Sequence, residues 1–315
     1  MQCLDSGACA SRLNLFNWVQ ACAMAVARRS FSLLVAVLMT FSQSSLGFKF
    51  AFNGFKSQSE LFIVTESNWE YNLVNESCYT LVWPPDRSVG RLLYPQAVSM
   101  RESGSSAVMS FSTTFIFQIY QHPVYVGKGS GFTFLMVPNN STIGAPNDFL
   151  GLITTTTDTV AKDVASDEQT FGVEFDTYQN PEFNDENDNH IGLDFASMNS
   201  TVSFKPTIPL VTESETVYHQ VWIDYSQAQS TMDIYLAVYQ AWVVKPAVPS
   251  VSWPNVDLSL LSEPTFVGFS AAIGTTGADR HSIFAWSFSN EGETPPISLA
   301  KDAPPSGPSP APLVG

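Results

Sequence analysis

Acidic, amide and imidazole side chains are concentrated between Phe171 and Asp194, in a segment that lies between two apolar runs. Residues alternate in character at the start of this segment, so Glu174, Asp176 and Tyr178 project from one face of a predicted strand. The two carboxylates are then roughly 7 Å apart on that face. If the chain turns back and a second strand begins at His190, the imidazole of His190 lies beside Glu174. The pattern predicts a metal site built across two strands.

Two other kinds of metal site are excluded by the spacing. Asp185 begins a segment that starts like an EF-hand loop. Its sixth position is His190 where the loop requires glycine, and its twelfth is Ala196 where the loop requires glutamate. A catalytic zinc site normally uses more than one imidazole. The remaining histidines lie far away in sequence: His122, His219 and His281.

The composition indicates a globular protein with a large core. The chain has 315 residues, 44% hydrophobic, 13% aromatic and only 14% charged. This length is enough for one large all-β domain with extensions, and the apolar content excludes a disordered polyelectrolyte. The formal net charge of −15 argues against nucleic acid or an anionic membrane as a partner.

Residues 1–46 are predicted to be a secretory signal with a possible N-terminal extension. An apolar run at 31–41 follows Arg28 and Arg29, and it is too short to span a bilayer. A start at Met24 gives a signal of ordinary length, and cleavage is expected near Gly47. The mature protein is therefore expected outside the cell, in the apoplast or cell wall.

The cysteines and glycosylation motifs agree with this route. Removal of the first 46 residues leaves Cys78 as the remaining cysteine, so an internal disulfide framework is excluded. Cys78 is then expected to be a small buried apolar residue. Sequons for N-glycosylation begin at Asn75, Asn139, Asn140 and Asn199.

From Phe48 onward, short aromatic and β-branched runs are separated by Gly, Pro, Asn and Ser. Residues 217–225 show a clear period of two. About ten such runs with few helical stretches predict an all-β fold, an antiparallel β-sandwich or jelly roll. After Asn290 the chain becomes rich in proline, and residues 291–315 are predicted to be a flexible tail without a transmembrane segment.

The spacing E-x-D-x-Y-x-N-x4-D-x4-H-x-G-x-D, from Glu174 to Asp194, resembles the metal-binding motif of legume-type (L-type) lectins. The chain looks closest to plant lectin-like proteins and to the lectin ectodomains of receptor kinases. The resemblance implies a concanavalin A-like lectin/glucanase fold and a lectin domain at 47–290. Further segments that carry the resemblance are 48–55, 89–94, 111–115, 131–134, 149–152, 267–272 and 283–288.

The resemblance also implies two structural ions, Ca²⁺ and Mn²⁺. In the family, the manganese has an imidazole and carboxylates, whereas calcium is held by oxygens alone, as the chemistry of the two ions favours. Two aspartates bridge the ions. The implied ligands of Mn²⁺ are Glu174, Asp176, Asp185 and His190, and those of Ca²⁺ are Asp176, Asp185, Asn180 and the carbonyl of Tyr178.

At the sugar site the chain departs from the family. An aspartate that follows a cis peptide is expected where Ser130 stands, so the site lacks its charge-assisted acceptor there. A glycine is expected where Asp148 stands, so a side chain occupies a place of close backbone approach. The residues that the resemblance assigns to carbohydrate binding are Ser130, Asp148, Tyr178, Asn180, Thr275 and Thr276.

Two functions therefore stay open, and a third is disfavoured. A secreted carbohydrate-binding protein is the family expectation, with a glycan or glycoprotein as partner and a possible homodimer through an exposed sheet. Alternatively, the domain is an extracellular interaction module that has lost simple-sugar binding and recognises a non-sugar ligand or a protein. A glucanase needs a second glutamate after the E-x-D pair, and Tyr178 and Gln179 stand at those positions, so no enzyme is expected.

Overall fold

The structure is a computed structural model, and part of the chain is described by it. Several predicted features lie outside the described residues: the signal segment, Asn75, Thr275, Thr276 and the chain from residue 300 onward. The described ranges are 47–55, 62–65, 79–82, 89–102, 104–121, 123, 127, 129–153, 169–241, 243–273 and 279–299.

Two β-sheets make up the described chain, and they confirm the predicted β-sandwich. The larger sheet has eight strands in the order β1-β15-β5-β11-β12-β13, with β3 beside β15 and β10 beside β5; the smaller has seven in the order β2-β4-β14-β6-β7-β8-β9. Paired strands are antiparallel, except that β10 is parallel to β5. The strands are β1 Lys49–Asn53, β2 Phe62–Thr65, β3 Tyr79–Val82, β4 Val89–Leu93, β5 Phe111–Gln121, β6 Gly131–Val137, β7 Phe171–Asp176, β8 His190–Phe195, β9 Val202–Phe204, β10 Val211–Thr212, β11 His219–Ser226, β12 Thr231–Val238, β13 Val251–Pro254, β14 Phe266–Ala272 and β15 Asp279–Ser289.

Helical structure is minor in this part of the chain. It consists of two 3₁₀ turns, Asn147–Phe149 and Pro181–Phe183. Within the described ranges no helix is long and apolar enough to cross a membrane.

The core between the sheets is built from alternate, largely aromatic residues. Phe115 and Phe117 of β5 meet the smaller sheet, where the ring centres of Phe132 and Phe175 are 4.8 Å apart and stacked. Phe115 also packs edge-to-face on Phe269, at 4.8 Å. Because the side chains of a strand alternate between faces, burying Phe175 in the core places its neighbours on β7 on the opposite, outer face of the smaller sheet.

The segment after β15 differs from the predicted flexible tail. Leu299 is buried, and its backbone N–H donates to the hydroxyl of Tyr239 at 3.1 Å. Ser298 N–H donates to Asn53 Oδ1 at 2.8 Å. Ile297 packs in the same apolar cluster. These contacts hold residues up to Leu299 against the sheet despite the nearby prolines.

Candidate metal centre and ligand site

The hairpin of β7 and β8 positions the predicted metal ligands. In its register Asp176 lies opposite His190, and Glu174 lies opposite Gly192. A side chain at Gly192 would overlap Ser200 Oγ, and its Cβ would be 2.5 Å from Glu174 Oε1. Glycine at this position therefore lets the carboxylate and the following turn approach each other.

The predicted ligands converge on the outer face of the smaller sheet. One donor atom each from Glu174, Asp176 and His190 lies within 4.8 Å of the others. His190 Nε2 is 3.2 Å from Glu174 Oε1 and 3.8 Å from Asp185 Oδ1. His190 Nδ1 is 2.9 Å from the carbonyl oxygen of Asn187, which assigns the proton to Nδ1 and leaves Nε2 facing the carboxylates. We call Glu174, Asp176, Asp185 and His190 the acidic clamp.

The carboxylates of the acidic clamp are buried, so keeping them ionised costs free energy. Burial, followed by the charges of Glu174 and Asp185, raises the pKa of Asp176 well above its usual range. Burial also raises the pKa of Asp185, to about 6. Burial lowers the pKa of His190, but the hydrogen bond and charge of Glu174 outweigh it, so the net shift is upward. Buried like charges of this kind require a cation or bound protons.

The turn of the hairpin adds further oxygen ligands. Asn180 N–H donates to Asp185 Oδ2 at 2.7 Å, and Tyr178 N–H donates to Asp176 Oδ1 at 2.6 Å. Asn180 is 2% exposed, yet its Oδ1 accepts no hydrogen bond from the described residues. An unpaired buried carbonyl oxygen is expensive unless something coordinates it. The oxygen-rich set fits a calcium ion, and the addition of one imidazole fits a transition metal.

Two residues of the site were not among the predicted ligands. Asp194 is fully buried, and its pKa is raised well above its usual range by burial and then by the charge of Glu174. Ser200 donates hydrogen bonds to Glu174 Oε1 and, at 3.0 Å, to Asp194 Oδ1. The alternation from His190 through Gly192 could have revealed Asp194, which falls on the same face. Ser200 follows a turn, and no periodicity marks it.

Ser130 and Asp148, which depart from the family pattern, are in contact. Ser130 Oγ donates to Asp148 Oδ1 at 3.2 Å. Ser130 is 3% exposed, whereas Asp148 is half-buried. The charge of Asp148 contributes to the raised pKa of Asp176, so the pair lies close to the acidic clamp. A carboxylate is thus present beside position 130, although it comes from another loop.

Three contacts tie this pair to the rest of the site. Thr177, directly after β7, donates from Oγ1 to the carbonyl of Gly129 at 2.8 Å. Gly129 N–H donates to Asp279 Oδ2 at 2.8 Å. Phe149 packs edge-to-face on Phe183 of the hairpin turn, with ring centres 5.6 Å apart. The loops of Ser130 and Asp148 are therefore both attached to the hairpin of β7 and β8.

A buried arginine holds the loop of Asp148 from the side of the sheet. Arg91 of β4 donates to the carbonyl oxygens of Thr142 at 2.5 Å and Gly151 at 2.7 Å. Leu150, which ends the 3₁₀ turn, has a left-handed backbone with φ of 51°. The guanidinium thus fixes both ends of the loop that presents Asp148.

Several expectations about the site have other outcomes. The cis peptide expected before Ser130 is absent, since among the described residues the cis bond is Glu263–Pro264. The predicted sugar ligands Thr275 and Thr276 lie outside those residues. Asn199 is exposed, and the side-chain oxygen of Asn139 accepts hydrogen bonds from the chain that follows it. Glycosylation there and at Asn140 stays a prediction.

Comparison with known proteins identifies the class of protein. Residues 47–304 match the legume lectin domain, and the chain belongs to this family. The match begins at the predicted domain start and ends beyond residue 290. It places the chain among lectins rather than among the hydrolases that share the sandwich.

Individual relatives agree with this assignment. The chain is 30% identical over 272 residues to L-type lectin-domain containing receptor kinase IV.1 of Arabidopsis thaliana, covering 84% of this chain and 38% of the kinase. The chain thus spans about two fifths of that relative. It is 34% identical over 227 residues to the lectin-like protein At1g53080 of the same plant, covering 64% and 75% of the two chains.

Solved structures confirm the fold. Peanut lectin, solved with a nine-residue peptide, superposes with a TM-score of 0.61 at 26% identity, covering 78% of this chain and 97% of that one. Basic winged bean lectin, solved with Tn-antigen, gives a TM-score of 0.60 at 25% identity, covering 79% and 100%.

Proposed function

We propose that this protein is a secreted, ion-dependent carbohydrate-binding protein, with glycans or glycoproteins as its ligands. The observation that carries the proposal is the placement of Ser130 and Asp148 against the hairpin that bears the acidic clamp. A polar pair attached to an ion-binding hairpin is the arrangement expected where structural ions hold a ligand site in shape. Secretion is supported by the predicted signal at 1–46 and by the receptor kinases among the relatives.

In this proposal, Mn²⁺ binds Glu174, Asp176, Asp185 and His190, and Ca²⁺ binds Asp176, Asp185, Asn180 and the carbonyl of Tyr178. The ions are structural: they neutralise the buried carboxylates and fix the turn that follows β7. Removing them leaves like charges in a buried site, so the turn and the loops attached to it lose their positions.

We assign the role of charged acceptor to Asp148. The Ser130 hydroxyl donates to Asp148 Oδ1, which orients the carboxylate and leaves Oδ2 for a hydroxyl of the ligand. Hydrogen bonds to a charged acceptor contribute about 1.5–3 kcal/mol. Tyr178 is 42% exposed, so its ring is available to stack on a sugar face, and the amide nitrogen of Asn180 can donate to a hydroxyl. Thr275 and Thr276 are proposed to complete the site.

Asp148→Asn tests this assignment, because the change removes the charge and keeps the shape. We expect affinity for the bound glycan to fall by about tenfold to a hundredfold, from the loss of a charged acceptor. Glu186→Gln is the matched control, since Glu186 is an exposed acid of the hairpin turn, and it should bind as the native protein does. A glycan array identifies the ligand, and calorimetry then measures each variant. Equal affinity of Asp148→Asn and native protein would remove Asp148 from the site.

Ion dependence is tested separately. Metal analysis of the purified protein should find calcium and manganese, and excess chelator should abolish glycan binding and lower the melting temperature. Ions present at a thousand times their dissociation constant stabilise by about 4 kcal/mol, which is readily measured. An unchanged melt in excess chelator, with no bound metal, would refute the acidic clamp as an ion site.

The second candidate function is an interaction module that binds a non-sugar ligand or a protein. The replacement of the expected acidic residue by Ser130, with Asp148 filling a place of close approach, is the observation that favours it. If neither the native protein nor the double variant Ser130→Asp, Asp148→Gly bound any glycan on an array while the ion site was loaded, this second function would replace the first.

A further inference from the structure

The segment that joins β5 to β6 passes from the larger sheet to the smaller one, and it carries Ser130 just before β6 begins. Glycines stand on both sides of Ser130. Gly131 has a φ of 109°, and a Cβ there would lie 2.2 Å from the carbonyl oxygen of Phe175. The backbone thus passes β7 too closely for any residue other than glycine. The position of the Ser130 hydroxyl is therefore set by the backbone that flanks it.

The backbone of Gly129 is held by elements of both sheets. Its N–H donates to Oδ2 of Asp279, the first residue of β15 in the larger sheet, at 2.8 Å. Its carbonyl oxygen accepts from Oγ1 of Thr177, which directly follows β7 of the smaller sheet, at 2.8 Å. Asp279 and Thr177 are both fully buried, with 0% exposure. Two buried hydrogen bonds therefore fix the residue next to Ser130.

Asp279 packs tightly against Gly129 and is itself held by the sheet. A Cβ at Gly129 would lie 3.1 Å from Cβ of Asp279 and 3.4 Å from its Oδ2. Asp279 pairs with Gln121 at the end of β5, and Nε2 of Gln121 donates to the carbonyl of Gly127 at 2.9 Å. The carboxylate is therefore presented from a strand, and strands hold side chains more precisely than loops do.

Removing this carboxylate would leave the buried N–H of Gly129 without its acceptor. A buried N–H without a partner costs free energy, so the backbone is expected to move until the group finds another acceptor. Ser130 is the next residue, and its Oγ is 3.2 Å from Asp148 Oδ1, which is already long for a hydrogen bond between two oxygens. A small movement of the backbone is therefore enough to break this contact and to release Asp148.

We propose that Asp279 is a positioning residue of the ligand site: through Gly129 it sets where the Ser130 hydroxyl meets Asp148. The inference rests on the proposed function, in which Asp148 is the charged acceptor. Asp279 belongs neither to the acidic clamp nor to the residues assigned to carbohydrate binding. If Asp279 served the fold alone, its loss would lower stability and leave glycan affinity unchanged. A positioning residue instead lowers glycan affinity in protein that stays folded and loaded with ions.

Asp279→Ala and Asp279→Asn separate these two roles. Alanine removes the acceptor, and calorimetry with the glycan found on the array should show affinity lower by about tenfold or more. Asparagine keeps an oxygen for Gly129 N–H, so its glycan affinity should stay within about threefold of native. Manganese affinity should stay within about threefold in both variants.

Thr113→Val is the matched control, at the far end of β5 from Gln121. It removes a buried acceptor from the same sheet, since Trp286 Nε1 donates to Thr113 Oγ1 at 3.0 Å. The unfolding free energy should fall, because the indole N–H loses its partner, while glycan affinity should be unchanged. Lower glycan affinity in this control as well would show that loss of stability alone weakens binding, and the proposal would fail.

A double-mutant cycle tests whether Asp279 acts through Asp148. In Asp148→Asn the charged acceptor that Asp279 helps to position is already lost. Adding Asp279→Ala should therefore weaken glycan binding by only about twofold or less, whereas independent contributions would multiply. Full multiplication of the two losses, or unchanged glycan affinity in Asp279→Ala, would overturn the proposal.

Hydrogen exchange of the Gly129 amide, followed by NMR, needs no ligand. Exchange should be slow in native protein and in Asp279→Asn, and faster by about a hundredfold or more in Asp279→Ala. Equally slow exchange in all three proteins would show that Asp279 does not hold Gly129, and the proposal would be wrong. If native protein bound no glycan, the proposed function would fail, while exchange would still decide whether Asp279 positions the segment of Ser130.

Discussion

Acid should destabilise this protein partly through two buried histidines, and His281→Met tests the contribution of one of them. His281 is fully buried on β15, and neither ring nitrogen has a hydrogen-bond partner among the described residues. Burial lowers its pKa from 6.5 to about 3. Burial likewise lowers the pKa of His219 to about 4, despite a backbone hydrogen bond with Pro209. Both side chains are therefore neutral in the folded protein.

The sign and size of the effect follow from these pKa values. The folded-state pKa of His281 lies below its ordinary value. The unfolding free energy that this neutral side chain contributes is therefore fully present above pH 6.5. It is lost as the pH falls toward 3, since the unfolded chain takes up the proton first. At pH 5 the loss is about 2 kcal/mol for His281 and nearly the same for His219. At pH 7 the change to methionine should cost little, because it removes unpaired polar atoms and fills a similar volume.

Urea unfolding at pH 7 and pH 5, with excess chelator throughout, measures this difference. Lowering the pH from 7 to 5 should reduce the unfolding free energy of His281→Met by about 2 kcal/mol less than that of the native protein. Ile283→Val, two residues along the strand in the core, is the control and should cost about 1 kcal/mol at both pH values. If His281→Met showed the same pH dependence as native protein, His281 would not be neutral and buried as described.

Three further substitutions test the parts that hold the two sites. Gly192→Ala would place a methyl group against Ser200 and Glu174. We expect affinity for manganese, measured by calorimetry, to fall more than tenfold, while circular dichroism should show that the fold is retained. Arg91→Met removes the hydrogen bonds that fix the loop of Asp148. It should lower the unfolding free energy by about 2–4 kcal/mol and weaken glycan binding. Unchanged glycan affinity would show that the loop is held by other contacts. Leu299→Ala should cost about 2–3 kcal/mol in urea unfolding, whereas a flexible segment would give no change.

Much of the fold and of the acidic clamp could be predicted from the sequence because both depend on local periodicity. Alternation at 171–178 puts Glu174 and Asp176 on the face opposite the core, and a hairpin must return His190 to them. Apolar alternation likewise predicts the strands that form the core. The same rule covers Asp194, which lies four residues after His190 and therefore on the same face.

The remaining features depend on contacts between segments that are distant in sequence. Taken position by position, Ser130 and Asp148 each depart from the residue expected at a sugar site, but in the folded chain Ser130 donates a hydrogen bond to Asp148. Nothing local marks Arg91, a charged residue on a buried strand, as the support of a loop more than fifty residues later. Proline content predicts a flexible tail, whereas the apolar cluster that receives Leu299 shows that residues up to that position are packed.

The outer face of the larger sheet bears on the predicted homodimer. A homodimer formed through this face needs a surface free to meet its copy, but residues 243–246 and 293–297 lie over the sheet there and line a cavity above Thr114, Gln220 and Trp222. Leu299 and its hydrogen bond to Tyr239 hold the second segment in place. A second copy can pair at this position only by displacing these segments, which would expose the partly buried Val243 and Ile297 and the cluster they pack against. These segments therefore oppose pairing of two copies through this part of the sheet.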